Sequence, residues 1–268
     1  MNRSLDTGTD RMLATVSDGI GWMTFNQPDR HNAMSMSMLA AIPGILAGFA
    51  ADPAVRVVVV RGAGERAFIS GADISEFGER RTTPEARADY DQAMADAGRA
   101  WSGFVKPVIA MIRGYCLGGG MMTAMQCDLR VASDDAQFGI PAARLGLGYG
   151  YAGVEALERL VGPAWTAEIL FTARRFDASE ALAIGLVNTV TDVADLETEV
   201  RELAATIAAN APLTVQTTKA ALAEVRKDPD RRDLEAIKAQ VEACFRSEDY
   251  REGQAAFLEK RAPRFQGR

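Results

Sequence analysis

The chain has 268 residues, 48% hydrophobic and 25% charged, with a formal net charge of −6. That size and mix fit one large globular domain, or one with an appendage, and the acidic balance without a basic stripe argues against a nucleic-acid partner. Three cysteines, Cys116, Cys127 and Cys244, form an odd set without metal-ligand spacing, which predicts buried thiols in a reducing compartment; the first residues, MNRSLDTGTDRM, lack the apolar stretch of a signal peptide, so a cytoplasmic protein is expected.

Residues 13–16 and 20–25 read as strands around the turn Ser17-Asp18-Gly19. Residues 32–51 imitate a membrane span, being 20 residues without a charge. Their large apolar side chains, Met34, Met38, Ile42, Ile45 and Phe49, recur every three or four positions. That is one stripe of an amphipathic helix, so a core-facing helix is predicted over 33–51 and no membrane is expected. Residues 55–61, VRVVVVR, read as a buried strand. A long helix is predicted over 83–104, strands over 108–113 and 129–132, and a further strand over 134–140. This alternation predicts an α/β architecture. From about residue 153 helices dominate: 154–160, 165–171, 178–183, 195–210, 213–226, 234–245 and 249–260, with one strand over 185–190. The chain divides on this reading into an α/β core, residues 1–205, and a helical region, residues 206–268, that packs on the core or on a partner subunit.

Two segments carry the chemistry. Residues 67–77, AFISGADISEF, and residues 114–122, GYCLGGGMM, each place small residues just before an expected helix start. Asp73 and Glu76 have the spacing of a capping box, although Ser-Gly-Ala-Asp is also ordinary turn chemistry. Gly118-Gly119-Gly120 follows a strand and precedes MMTAMQ. Each glycine in an ordered element costs roughly 0.5–1 kcal/mol against alanine, so the run implies close approach of a ligand or of another helix. Together the segments offer two main-chain N–H groups, which is what one developing oxyanion requires. The oxyanion read here is that of a thioester carbonyl.

Other patterns lead elsewhere or nowhere. Residues 148–153 match G-x-G-x-x-G, but the preceding PAARLGL is no strand and the later AEILFTARR reads as helix, so a dinucleotide site is rejected. His31 is the sole histidine. No G-x-S-x-G elbow exists for a serine triad, and no carboxylate cluster suggests a metal. His31 reads as an exposed or phosphate-facing turn residue.

Taken together, NQPDRHNAM (26–34), SGADISEF, GYCLGGG, CDLRVASDDAQFGIP, FTARRFDASEALAIGLVN and AFLEKRAPRF resemble the crotonase superfamily, also called the enoyl-CoA hydratase/isomerase family. The resemblance spans nearly the whole chain. It implies a spiral of ββα units with C-terminal helices that build a homotrimer or a dimer of trimers. It implies coenzyme A thioesters as substrates, with no separate cofactor. The family's two oxyanion N–H groups match Ala72 and Gly119. Its CoA-binding backbone matches Ala33, Ser70, Ala72, Asp73, Ile74 and Ser75. Phe257 and Lys260 match residues that reach the adenine and phosphate end of CoA bound to a neighbouring subunit, and their i,i+3 spacing predicts one shared helix face.

The chain departs from the hydratase pattern at two places. Where a hydratase carries its glutamates this sequence has Met122 and Ala142, and neither moves a proton. General acid–base catalysis is worth about 10²- to 10⁴-fold, so ordinary enoyl-CoA hydration is expected to be poor. Tyr149 matches a tyrosine of the methylmalonyl-CoA decarboxylase branch and acidic residues in other branches; its plain reading is a pocket wall. That branch, however, has histidine where this chain has Ala72. Tyr151, Asp73, Arg144 and Glu155 are further candidates. The leading expectation is enolate chemistry, with decarboxylation favoured because loss of CO₂ needs no general base. Hydration or isomerisation with a base such as Asp73 or Glu155 is the second reading. A CoA-binding homologue without catalysis is the third.

Overall fold

The computed structural model describes residues 3–73 and 84–268. Its larger sheet contains Arg3–Leu5 (β1), Met12–Ser17 (β2), Ile20–Phe25 (β3), Val57–Gly62 (β4), Val108–Ile112 (β6), Leu129–Ser133 (β8) and Thr189–Thr191 (β11). A smaller sheet contains Ala67–Ile69 (β5), Tyr115–Leu117 (β7), Gln137–Gly139 (β9) and Phe176–Asp177 (β10). The large sheet runs β1-β2-β3-β4-β6-β8-β11, antiparallel up to β3 and parallel beyond it. Asp18 and Gly19, at φ 53° and 80°, make the tight β2–β3 connection, the hand of turn that twisted hairpins favour.

The middle of the chain repeats one unit. β4 and β5 precede the helix Pro84–Ser102; β6 and β7 precede Gly119–Gln126; β8 and β9 precede Tyr151–Thr172. With Met36–Ala51 as α1, these helices are α2, α3 and α4. In each unit the first strand joins the large sheet and the second joins the small one, which is the expected spiral of ββα units. Strands β5, β7 and β9 are mutually parallel, so their C-terminal ends open on one edge. Residues 70–73, 118–119 and 140–142 therefore gather there.

Both faces of the large sheet are covered, which explains the uninterrupted valine run of β4. On one face α1 buries Met38, Leu39, Ile42, Ile45, Leu46 and Phe49. The apolar stripe of residues 32–51 thus faces the core, and no described helix is long and apolar enough to cross a membrane. On the other face Leu196–Ala208 (α6) packs Leu196, Val200 and Ala204 against Trp22, Val57, Val59 and Ile109. The guanidinium groups of Arg61 and Arg201 stand 4.7 and 4.6 Å from the Trp22 ring centroid, a favourable cation–π arrangement.

Three sequence readings change. The helices expected over 154–160 and 165–171 form one element, α4, kinked at Gly162 (φ 76°, ψ 169°) before Pro163, where proline removes a helical donor. The strand expected over 185–190 forms at Thr189–Thr191. The last helix stops at Glu259, so Lys260 caps it in the left-handed conformation (φ 54°) and shares no helix face with Phe257. The remaining helices are Ala178–Ala183 (α5), Pro212–Val225 (α7), Leu234–Arg246 (α8) and Glu248–Glu259 (α9). Residue 205 lies inside α6, and α7 to α9 follow it. Cys116 and Cys127 are buried and Cys244 is half-buried, all as free thiols. Burial pushes the Cys127 thiol up to about 12.

Arg130 on β8 fixes the C-terminal end of α3. Its buried guanidinium donates to the carbonyls of Cys127 and Leu186, each at 2.7 Å, and to that of Ala124 at 3.4 Å. An orphaned buried carbonyl costs about 1–3 kcal/mol. Arg130→Leu is expected to lower unfolding free energy by at least that amount in urea titrations, and an unchanged midpoint would show that α3 does not depend on this anchor.

Candidate active site

The edge where β5, β7 and β9 end is built from backbone first. Asn32 is fully buried. Its amide nitrogen donates to the carbonyls of Ala63 and Ala67, at 2.9 and 2.8 Å, and its amide oxygen accepts from the Gln27 N–H at 2.9 Å. Residues 27–34 are thereby pinned beside the β4–β5 connection and the start of β5. The Ser70 N–H donates to the His31 carbonyl at 3.1 Å, the Met34 N–H to the Gly71 carbonyl at 2.8 Å, and the Asp73 N–H to the Met34 carbonyl at 2.9 Å. Met34 and Ala72 form an isolated parallel bridge. In such a bridge Met34 engages the neighbours of Ala72, and the N–H of Ala72 points the other way.

What lies on that other side is the start of α3. Gly118, its N-cap, adopts φ 50° and ψ −108°, a conformation suited to glycine, and no side chain caps the helix. The first helical bond runs from the Met122 N–H to the Gly118 carbonyl at 3.1 Å. The N–H groups of Gly119, Gly120 and Met121 precede it and have no acceptor within the helix. They lie at the positive end of the helix dipole. The Ala72 nitrogen is 3.6 Å from the point a Gly119 Cβ would occupy, and Gly71 lines the same point. Gly120 serves packing instead, since a Cβ there would stand 2.1 Å from the Ile69 carbonyl oxygen.

Side chains complete the edge. Met122 and Ala142 are half-buried, one on the first turn of α3 and the other in the 3-10 turn Pro141–Leu145 that follows β9. The half-buried Tyr149 returns over this region, and its hydroxyl donates to Met122 Sδ at 2.8 Å. Burial pushes the Tyr149 phenol above its ordinary range, so it is neutral at physiological pH. This places the phenol within one helical turn of Gly119.

The other named residues are disposed differently. Asp73 is buried and ion-paired with Arg30 at 3.1 Å. Glu155 pairs with Arg159 at 2.9 Å. Tyr151 is 80% exposed and Arg144 is exposed. His31, expected to be exposed or facing a phosphate, is half-buried with its ring edge-on to Tyr115 at 5.9 Å. The N–H groups of Ser70 and Asp73 are engaged by protein carbonyls, as is that of Ala33, which donates to the Arg30 carbonyl at 3.1 Å. Phe257, on α9, is 84% exposed. Ile74, Ser75 and Glu76 lie outside the described residues. Residues 148–153 follow a 3-10 turn, and Tyr151 begins α4, so the strand a dinucleotide site needs does not precede them. The sequence assigns Asn32 no role, because an asparagine near the end of the turn-rich motif 26–34 reads as one more turn residue.

The family described as enoyl-CoA hydratase/isomerase matches residues 15–268. A crotonyl-CoA hydratase of Syntrophomonas wolfei is 38% identical over 260 residues, covering 96% of this chain and 98% of that protein. A short-chain-enoyl-CoA hydratase of Clostridium acetobutylicum is 38% identical over 243 residues, covering 89% of this chain and 91% of that protein. The crystal structure of an enoyl-CoA hydratase/isomerase family protein from Hyphomonas neptunium superposes with a TM-score of 0.91 at 36% identity, covering 98% of this chain and 100% of that one.

The two adjacent glycines are expected to respond differently to a methyl group. Gly120→Ala collides with the Ile69 carbonyl and should cost about 1–3 kcal/mol. Gly119→Ala meets nothing closer than 3.6 Å and should unfold within about 1 kcal/mol of the parent. Equal losses in urea denaturation would contradict this assignment of roles.

Proposed function

Because the chain belongs to the enoyl-CoA hydratase/isomerase family, we propose that it is a coenzyme A thioester enzyme working through an enolate, whose oxygen is held between the N–H groups of Ala72 and Gly119. The observation that carries this reading is the Ala72 nitrogen, turned from Met34 and standing 3.6 Å from the point a Gly119 Cβ would occupy. Charge grows on the thioester oxygen as a bond at the α-carbon breaks, so donors aimed there act chiefly on the transition state. The CoA moiety runs along Ala33, Ser70, Asp73, Ile74 and Ser75. Phe257 and Lys260 meet its adenine and phosphate end across a subunit boundary in a homotrimer or a dimer of trimers. The exposed apolar side chains Leu222, Val225, Leu234, Phe245, Phe257 and Leu258 on α7 to α9 support such an assembly.

The favoured reaction is decarboxylation. The bond from the α-carbon to the carboxylate breaks, its electron pair enters the enolate, and CO₂ leaves. The α-carbon then takes the proton of the Tyr149 phenol, which water restores. No general base is needed, which suits a site with Met122 and Ala142 where carboxylates would serve. Hydration is the second reading, favoured by the names of the hydratase relatives at 38% identity. It would need a base, and both Asp73 and Glu155 are already paired with arginines.

A panel containing methylmalonyl-CoA and crotonyl-CoA decides between the two. CO₂ release is expected to exceed water addition by about 10²-fold or more, and the reverse order would overturn the decarboxylase reading. Gly119→Pro removes one N–H at the first helical position, where proline is tolerated, and should lower kcat by about 10²–10³. The active form of Tyr149 is the acid form, lost only as pH rises through its raised pKa. The rate should therefore show no fall assignable to this group below about pH 10, the ordinary phenol value.

A further inference from the structure

The glycine that ends the run 148–153 has a physical task unrelated to nucleotides. Gly153 is buried in the first turn of α4, its N–H donating to the Gly150 carbonyl at 3.0 Å. A Cβ on Gly153 would stand 2.7 Å from Tyr149 Cε1, 3.0 Å from Tyr149 Cζ and 3.1 Å from Met122 Sδ. The tyrosine ring therefore lies in a slot that exists because this helix position has no side chain. Met122 closes the slot from α3, placed there by the first hydrogen bond of that helix, and takes the phenol proton's hydrogen bond on its sulfur at 2.8 Å.

We propose that Gly153 and Met122 are positioning residues for Tyr149: Gly153 provides the slot for the ring, and the Met122 thioether holds the hydroxyl with an acceptor too weak to keep its proton. The proposal rests on the reading of Tyr149 as proton donor to the α-carbon. A thioether is a weak acceptor, so the O–H is oriented in the resting site yet free to turn toward the substrate. A carboxylate in the same place would form a charge-assisted bond, shorter and stronger than a neutral one, and would retain the proton. The methionine is thus more than a lost glutamate. Met122→Glu, which brings back the residue type of a hydratase, is expected to slow proton delivery by Tyr149.

The test uses the full chain labelled with ¹³Cζ-tyrosine, with Tyr149→Phe identifying the resonance. Met122→Leu keeps nearly the same volume, and Gly153→Ala adds one methyl group. Both should shift or broaden the Tyr149 signal. Both should lower kcat for CO₂ release from methylmalonyl-CoA by about 10- to 10²-fold, the scale of a misplaced catalytic group, with KM unchanged. In the Tyr149→Phe background Met122→Leu should cause no additional loss. An unmoved Tyr149 resonance in both variants, or an equal loss from Met122→Leu with and without the phenol, overturns the proposal. If the resonance moves in both variants but Tyr149→Phe leaves CO₂ release intact, the slot and its sulfur acceptor stand, and the donor role of Tyr149 is what falls.

Discussion

The candidate site depends on how one short strand end is paired. Residues 31–34 take hydrogen bonds from or give them to Ser70, Gly71 and Asp73. Strand alternation then leaves the N–H of Ala72 facing the opposite way, toward α3. Shifting that pairing by one residue would turn the Ala72 donor back toward Met34. The buried Asn32 opposes such a shift, because its amide meets Ala63, Ala67 and Gln27 at once. A buried side chain with these partners is costly to displace.

The second half of the arrangement is a helix end left uncapped. A serine or aspartate at position 118 would satisfy a first-turn N–H by its own side chain. Glycine leaves those donors to whatever enters. Parallel strands β5 and β7 bring the two halves together, since parallel neighbours finish on the same edge. Gly120 lets α3 approach β5 against the Ile69 carbonyl. Arg130 ties down the far end of the same helix. The fold thus supplies rigidity around the Ala72 and Gly119 backbone, where the proposed oxyanion would sit.

Much of this was legible in the residues. The stripe Met38, Ile42, Ile45 and Phe49 is the buried face of α1, and the valines of β4 are fully buried. Both are patterns of local period, which sequence carries directly. The strands β1, β5, β7 and β10 leave no such signal, because two- or three-residue strands lack room for a period. The kink at Gly162 looks in sequence like a gap between helices, since Gly-Pro interrupts a pattern whether or not the helix continues beyond it. Spacing alone puts Lys260 on the helix face of Phe257, and it does not reveal that the helix stops one residue earlier. Ala72 and Gly119 are singled out by the family resemblance together with the small-residue segments that hold them. Their adjacency, and the contact of Tyr149 with Met122, depend on tertiary placement. So does the need for a glycine at 153, which is set by a ring from a different turn.

A crystal structure with a bound, non-reacting CoA thioester would examine the paired amides without passing through kinetics. The expected result is a thioester oxygen at about 2.7–3.1 Å from both the Ala72 and the Gly119 nitrogen, with the α-carbon on the side of the Tyr149 hydroxyl. A thioester oxygen that meets neither amide, or meets one while the other turns toward solvent, would contradict the enolate chemistry proposed for this chain.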